Sequence, residues 1–220
     1  MTDFNFETAR FNMVEQQVRP WEVLDPQVLQ LLSSEPREDY VPKAYRQLAY
    51  ADIEIPLGHG EAMMYPRVEG RMLQALNIQP GDRILEIGTG SGFVTSLLAH
   101  LGDHVYSIEI VPEFSESASQ KLAAHNITNI TLEVGDGVRG WATHQPYDAI
   151  LVTGSIPELY DEFKQQLAIG GRLAVVVGTG VIMEALQVVR TGDHDWFTTS
   201  LFETELKPLV HANAPRVFEF

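Results

Sequence analysis

Arg83-Ile84-Leu85-Glu86-Ile87-Gly88-Thr89-Gly90-Ser91-Gly92 is the stretch that decides how this chain is read. An apolar run carrying a carboxylate leads into three glycines alternating with small residues. Phe93-Val94-Thr95-Ser96-Leu97-Leu98-Ala99 then has the composition of the first turns of a helix. A strand, a tight glycine turn and a helix in that order let the backbone approach a nucleotide-like ligand, because glycine has no Cβ in the way. The next apolar run ends in Ser107-Ile108-Glu109. An acidic residue about 20 positions beyond such a turn is placed to accept hydrogen bonds from both ribose hydroxyls.

The glycine spacing narrows the ligand. A dinucleotide fingerprint reads G-x-G-x-x-G, whereas here the glycines fall at 88, 90 and 92 with Glu86 just before them. A carboxylate there would repel a pyrophosphate, which disfavours a nicotinamide cofactor. It suits one that presents an ammonium and a sulfonium, as S-adenosyl-L-methionine does. Gly135-Asp136-Gly137 follows the next strand, where an aspartate between glycines can accept from an adenine amino group. The predicted cofactor contacts are Glu86, Gly88, Thr89, Gly90, Gly92, Glu109, Ile110, Asp136 and Gly137. The plain alternative is that Glu86 is a surface charge and Asp136 a turn residue.

Strands are predicted at 83–87, 105–109, 131–134, 149–153 and 172–177, most of them separated by helical stretches, which implies a parallel sheet with helices on both faces. Beyond Gly178, runs at 185–190 and 197–201 flank Thr191-Gly192-Asp193, a turn signal for an antiparallel hairpin. The expected fold is α/β: a Rossmann-like class I methyltransferase sheet, mostly parallel, with a C-terminal antiparallel hairpin and an N-terminal helical extension. In that extension residues from about Phe11 to Ser34 are expected to be helical, with Asp25-Pro26 as a cap and first-turn pair before Val28, Leu29, Leu31 and Leu32. Pro36, Pro42 and Pro56 then leave short pieces and loops, and Pro66 opens a helix in which Val68, Met72, Leu73 and Leu76 recur at helical spacing. The division is residues 1–78, extension and substrate loop, and 79–220, cofactor domain, forming one compact unit.

Composition excludes several functions. The 220 residues carry 15 basic and 30 acidic side chains, a net charge of −15, which repels phosphate backbones and anionic lipid, so neither nucleic acid nor membrane is an expected partner. The absence of cysteine rules out disulfides, thiolate metal sites and a thiol nucleophile. The seven histidines show no ligand spacing, so no metal is expected, and Asp193-His194-Asp195 falls in the predicted turn. The N-terminus lacks the basic start and apolar stretch of a signal peptide, so a cytoplasmic location is expected. The sequence sets no oligomeric state.

Further stretches carry a resemblance. Met13-Val14-Glu15-Gln16-Gln17-Val18-Arg19, Pro36-Arg37-Glu38-Asp39-Tyr40-Val41-Pro42, Ala49-Tyr50-Ala51-Asp52, Ile55-Pro56-Leu57-Gly58-His59-Gly60 and Tyr147-Asp148-Ala149-Ile150-Leu151-Val152-Thr153, with the glycine turn and Gly135-Asp136-Gly137, are similar to the protein-L-isoaspartate O-methyltransferase family over roughly residues 12–210. The resemblance implies S-adenosyl-L-methionine as cofactor and, as partner, a damaged protein or peptide whose isoaspartyl α-carboxylate receives the methyl group. It also implies hydroxyl and backbone donors for that carboxylate. After Gly58-His59-Gly60 the family usually reads Gln-Thr-Ile-Ser-x-Pro; this chain reads Glu61-Ala62-Met63-Met64-Tyr65-Pro66, apolar at both hydroxyl positions. Met64, Thr153, Ser155 and His59 are the residues expected at the acceptor. Two alternatives stay open: methylation of a different acceptor, and a non-catalytic S-adenosylmethionine-binding protein.

Overall fold

The computed structural model describes residues 4–212, which begin with helices. Helix α1 (Phe6–Met13) runs on through a widened π turn (Val14–Val18) and a 3-10 turn (Arg19–Trp21), until Glu22 adopts a left-handed backbone with φ 62°. Helix α2 (Pro26–Ser34) starts as the sequence indicates. Asp25 accepts from the N–H groups of Gln27 and Val28, and Pro26 takes a first-turn position that needs no donor. The helical stretch expected from Phe11 to Ser34 is thus two helices, the second starting at the predicted Asp25-Pro26 cap, and the break between them is held by tertiary contacts. The Gln74 side chain accepts from the Leu24 and Asp25 N–H groups at 2.6 and 2.9 Å and donates to the Glu22 carbonyl at 3.0 Å. It satisfies backbone groups that a helix would have paired internally.

Strands β1 (Ile55–Gly58) and β2 (Glu61–Met63) form an antiparallel hairpin where the sequence predicts only short pieces and loops. Its turn, Gly58-His59-Gly60, has φ of 105°, 51° and 78°, a run of left-handed backbone that the flanking glycines make accessible. Helix α3 (Pro66–Leu76) buries Val68, Met72, Leu73 and Leu76, the expected face, and ends at Asn77 with φ 44°.

The regular alternation follows as β3 (Arg83–Ile87), α4 (Phe93–Leu101), β4 (His104–Glu109), α5 (Pro112–Ala124), β5 (Ile130–Val134), β6 (Tyr147–Ile156), α6 (Asp161–Gln166), β7 (Leu167–Thr179), β8 (Ile182–Arg190) and β9 (Trp196–Thr204). The sheet order is β5-β4-β3-β6-β7-β8-β9. Strands β3 to β7 pair in parallel, and β8 runs antiparallel to both its neighbours. The expected hairpin is present, with the Thr191 N–H donating to the Asp195 carbonyl at 2.9 Å. Because β8 also pairs with β7, it is part of a three-stranded meander.

The strand order reverses at β3, with β4 on one side and β6 on the other. Loops leaving the carboxyl ends of these strands diverge there and open a crevice. Side chains of β3 alternate across the sheet: Ile84 joins the core shared with α2, α3 and α4, while Leu85 and Ile87 join the opposite core with Tyr147 and Phe163. The N-terminal segment is bonded directly to the sheet, since Arg172 Nε donates to the Leu76 carbonyl at 2.7 Å and Arg71 Nη2 to the Leu201 carbonyl at 3.1 Å.

Candidate functional site

The glycine turn at the end of β3 is built for close approach. Gly88 has φ 94°, and a Cβ there would fall 2.3 Å from Thr153 Oγ1, so β6 closes directly on the turn. Glu109, at the end of β4, clamps the other side: its Oε2 accepts from the Gly90 N–H at 2.8 Å and its Oε1 from the Val111 N–H at 2.9 Å. Between them lies a cavity partly open to solvent. Six of the expected cofactor residues line it: Gly88, Gly90, Glu109, Ile110, Asp136 and Gly137. Asp136 Oδ1 accepts from the Val138 N–H at 3.1 Å and Oδ2 pairs with His211 Nδ1 at 2.8 Å. Partial burial would raise the Asp136 carboxyl, but the His211 and Val138 hydrogen bonds outweigh it and hold it below the ordinary carboxylate range.

The three remaining expectations fall elsewhere. Gly92 lies outside the cavity at the start of α4, where an added Cβ would come 3.0 Å from Ala118 Cβ; it is a packing glycine between α4 and α5. Thr89 backs the turn, its hydroxyl 2.5 Å from Ser107 Oγ, and lines a smaller cavity beneath β2. Glu86 shares the face of Ile84 and is fully buried behind the turn, so the carboxylate expected to face a cofactor ammonium does not reach the cavity. Its Oε2 accepts from Thr95 Oγ1 and Ser107 Oγ, both at 2.5 Å.

Burial pushes the Glu86 carboxyl up to about 8; the two hydroxyls oppose the rise and nearby Glu109 adds to it. At neutral pH Glu86 is therefore a neutral group that braces Thr89 through Ser107. The folded protein holds this proton more tightly than the unfolded chain, whose carboxyl ionises near 4.5. Its stabilising contribution is thus full below that value and is lost as pH rises towards 8. E86Q, which cannot ionise, is expected to flatten the decline. Urea titrations of both proteins between about pH 5 and 8 measure it, and equal slopes would refute the assignment.

The acceptor side is formed by β2 and the coil after β9. Ala62 lines both the main cavity and the smaller one, whereas Met64 is buried and reaches only the smaller. Glu61 lines the main cavity and pairs with Lys207 Nζ at 3.0 Å, so its charge is matched there. Thr153 is at the cavity wall, but its hydroxyl lies 2.9 and 2.8 Å from the Ile87 and Gly88 carbonyls, to which it donates. Ser155 does not line the cavity as expected. It is fully buried and donates through Oγ to the Leu206 carbonyl at 2.7 Å. Its backbone N–H donates to the Lys207 carbonyl, and its carbonyl accepts from the Leu209 N–H, both at 2.9 Å. His59 is likewise displaced, exposed at the hairpin tip with its ring edge against Phe114.

Sequence reasoning missed the roof. Lys207, Leu209 and Val210 close the cavity from a coil that carries no periodicity or motif. Among the described residues no group of three metal-ligating side chains occurs, and no helix is long and apolar enough to cross a membrane.

A parallel sheet with one reversed strand, and a glycine-turn cavity clamped by a carboxylate at the next strand end, define a class I S-adenosylmethionine-dependent methyltransferase. The comparisons with known proteins are specific beyond that class. The family model described as protein-L-isoaspartate(D-aspartate) O-methyltransferase matches residues 9–214. Protein-L-isoaspartate O-methyltransferase 1 of Rhodopseudomonas palustris is 39% identical, the match covering 94% of this chain and 84% of that one. Two solved structures share the fold. A protein-L-isoaspartate O-methyltransferase superposes with a TM-score of 0.78 at 23% identity, over 91% of this chain and 65% of the other. A Plasmodium falciparum structure in complex with S-adenosyl-L-homocysteine gives 0.77 at 18%, over 93% and 98%. The chain belongs to the protein-L-isoaspartate O-methyltransferase family.

Proposed function

We propose that this protein transfers the methyl group of S-adenosyl-L-methionine to the α-carboxylate of isoaspartyl residues in damaged proteins or peptides of the cytoplasm. One observation carries the reading: the cavity walled by Gly88, Gly90 and Glu109 is also lined by Glu61, Ala62 and Lys207, so donor and acceptor residues share one space. The residues present fit the cofactor. Gly88 and Gly90 admit it to the backbone, the Glu109 carboxylate accepts from ribose hydroxyls, and Asp136 accepts from the adenine amino group. Ile110 and Gly137 pack against the adenosine, and Thr89, braced by Ser107 and Glu86, keeps the turn in shape. In this proposal residues 1–78 are the extension and substrate loop, residues 79–220 hold the cofactor and add the coil after β9 to the acceptor side, and the two form one unit.

The cofactor supplies a methyl group on a sulfonium sulfur, activated towards an oxygen nucleophile. A carboxylate is already anionic at neutral pH, so the protein needs no general base. What it contributes is alignment of oxygen, methyl carbon and sulfur, which is catalysis by proximity and orientation. The apolar side chains of Ala62 and Met64 favour one second reading, a family member with a different acceptor. The discriminating measurement is transfer of labelled methyl to an isoaspartyl peptide and to its aspartyl twin. Transfer to the isoaspartyl peptide alone is expected, and equal rates on both would refute the first reading.

A further inference from the structure

A carboxylate removed from water needs hydrogen-bond donors, and this chain lacks the usual ones at its acceptor site. Ala62 and Met64 have no hydroxyl. The Thr153 proton is committed to the Ile87 and Gly88 carbonyls, and the Ser155 proton to Leu206. Arg67, in the adjoining groove, is paired with Asp52 and stacked between Trp21 and Tyr65, its guanidinium 4.4 Å from each ring centre. Among the described residues lining the main cavity, Lys207 is the one cation.

Lys207 stands where an acceptor would enter. It lines the main cavity and also the groove outside, as Glu54 does, while Glu205 lines the groove alone. Its backbone is held by the Ser155 N–H at 2.9 Å, while its side chain remains 41% exposed. An ammonium has three N–H donors, and Lys207 Nζ lies 3.0 Å from Glu61 Oε1 as an ion pair. Among the described residues it has no other salt-bridge partner, so its donors can turn towards the cavity.

We propose that Lys207 receives the acceptor carboxylate, replacing the donors missing from positions 62 and 64, and that Glu61 holds its ammonium in position to do so. The Glu61 anion, at a place where the family usually has an amide, is thereby explained as the partner that orients the cation. This proposal rests on the isoaspartyl reading above.

The test uses the full chain as wild type, K207M and K207R. It measures methyl transfer to an isoaspartyl peptide, calorimetric binding of that peptide to the S-adenosylhomocysteine complex, and S-adenosylhomocysteine binding alone. K207M is expected to raise both KM and peptide Kd by about tenfold or more, as loss of a charge-assisted hydrogen bond does. The change in kcat should be smaller, S-adenosylhomocysteine affinity should be unchanged, and K207R should retain most of the peptide binding. A wild-type KM in K207M, or a parallel loss of S-adenosylhomocysteine affinity, would overturn the role of Lys207 while leaving the isoaspartyl reading intact. A wild type that neither binds nor methylates the peptide would overturn both.

Discussion

R37M is expected to lower the unfolding free energy by about 3–5 kcal/mol, measured as a lower urea midpoint at unchanged slope. Arg37 is fully buried, and its Nη1 lies 2.6 and 2.5 Å from the two oxygens of Glu69, itself only 1% exposed. The same guanidinium donates through Nη2 to the Met64 carbonyl and through Nε to the Ala49 carbonyl, each at 2.9 Å, and lies over the Phe93 ring at 4.8 Å. Removing it strands a carboxylate in the core and leaves two buried carbonyls unpaired. The double variant R37M/E69M removes the stranded charge, so it should regain part of the loss but not the share due to the carbonyls. A single variant within about 1 kcal/mol of wild type would show that the pair is not the brace described. Because Met64 directly follows β2, R37M should also raise KM for the acceptor more than it weakens cofactor binding.

The second large effect is expected at Glu109. E109A should raise the Kd for S-adenosyl-L-methionine by about 100-fold or more, read by calorimetry. Two hydroxyl hydrogen bonds to a carboxylate are worth about 1.5–3 kcal/mol each, and 1.4 kcal/mol is a factor of ten. The loss has two sources in the structure. The carboxylate itself disappears, and so does the clamp joining the Gly90 and Val111 N–H groups. E109Q, which keeps the shape but carries no charge, should fall between wild type and E109A. A Kd for E109A within about threefold of wild type would remove Glu109 from the site.

The sheet was legible because its strands carry their own signals. Arg83–Ile87, Glu109 at the end of β4, and the turn at Thr191-Gly192-Asp193 are local patterns, and each lies where its pattern predicts. What local pattern did not carry depended on partners far away in sequence, on an element too short to show a period, or on the face a strand residue takes. The interruption before α2 is made by Gln74, and the β1–β2 hairpin is too short, with Pro56 inside it, to show alternation. Glu86 is the instructive residue. Its position before the glycines suggested a charge facing the ligand, but the two-residue period of a strand turns it to the face of Ile84, away from the cavity. Ser155 was placed at the correct sheet edge, yet only the coil beyond β9 reveals that its hydrogen bonds are spent holding that coil.

The pair formed by Glu61 and Lys207 has a kinetic consequence. The floor of the cofactor cradle, the glycine turn clamped by Glu109, comes from successive strand-and-helix units and closes over only 19 positions. The acceptor mouth instead joins the first hairpin to the coil after the last strand. Contacts of such long range carry a larger loop-closure entropy and tend to form late. During refolding the molecule should therefore become able to hold its methyl donor before it can recognise what to methylate. Partial unfolding should run the same sequence backwards, losing the acceptor first.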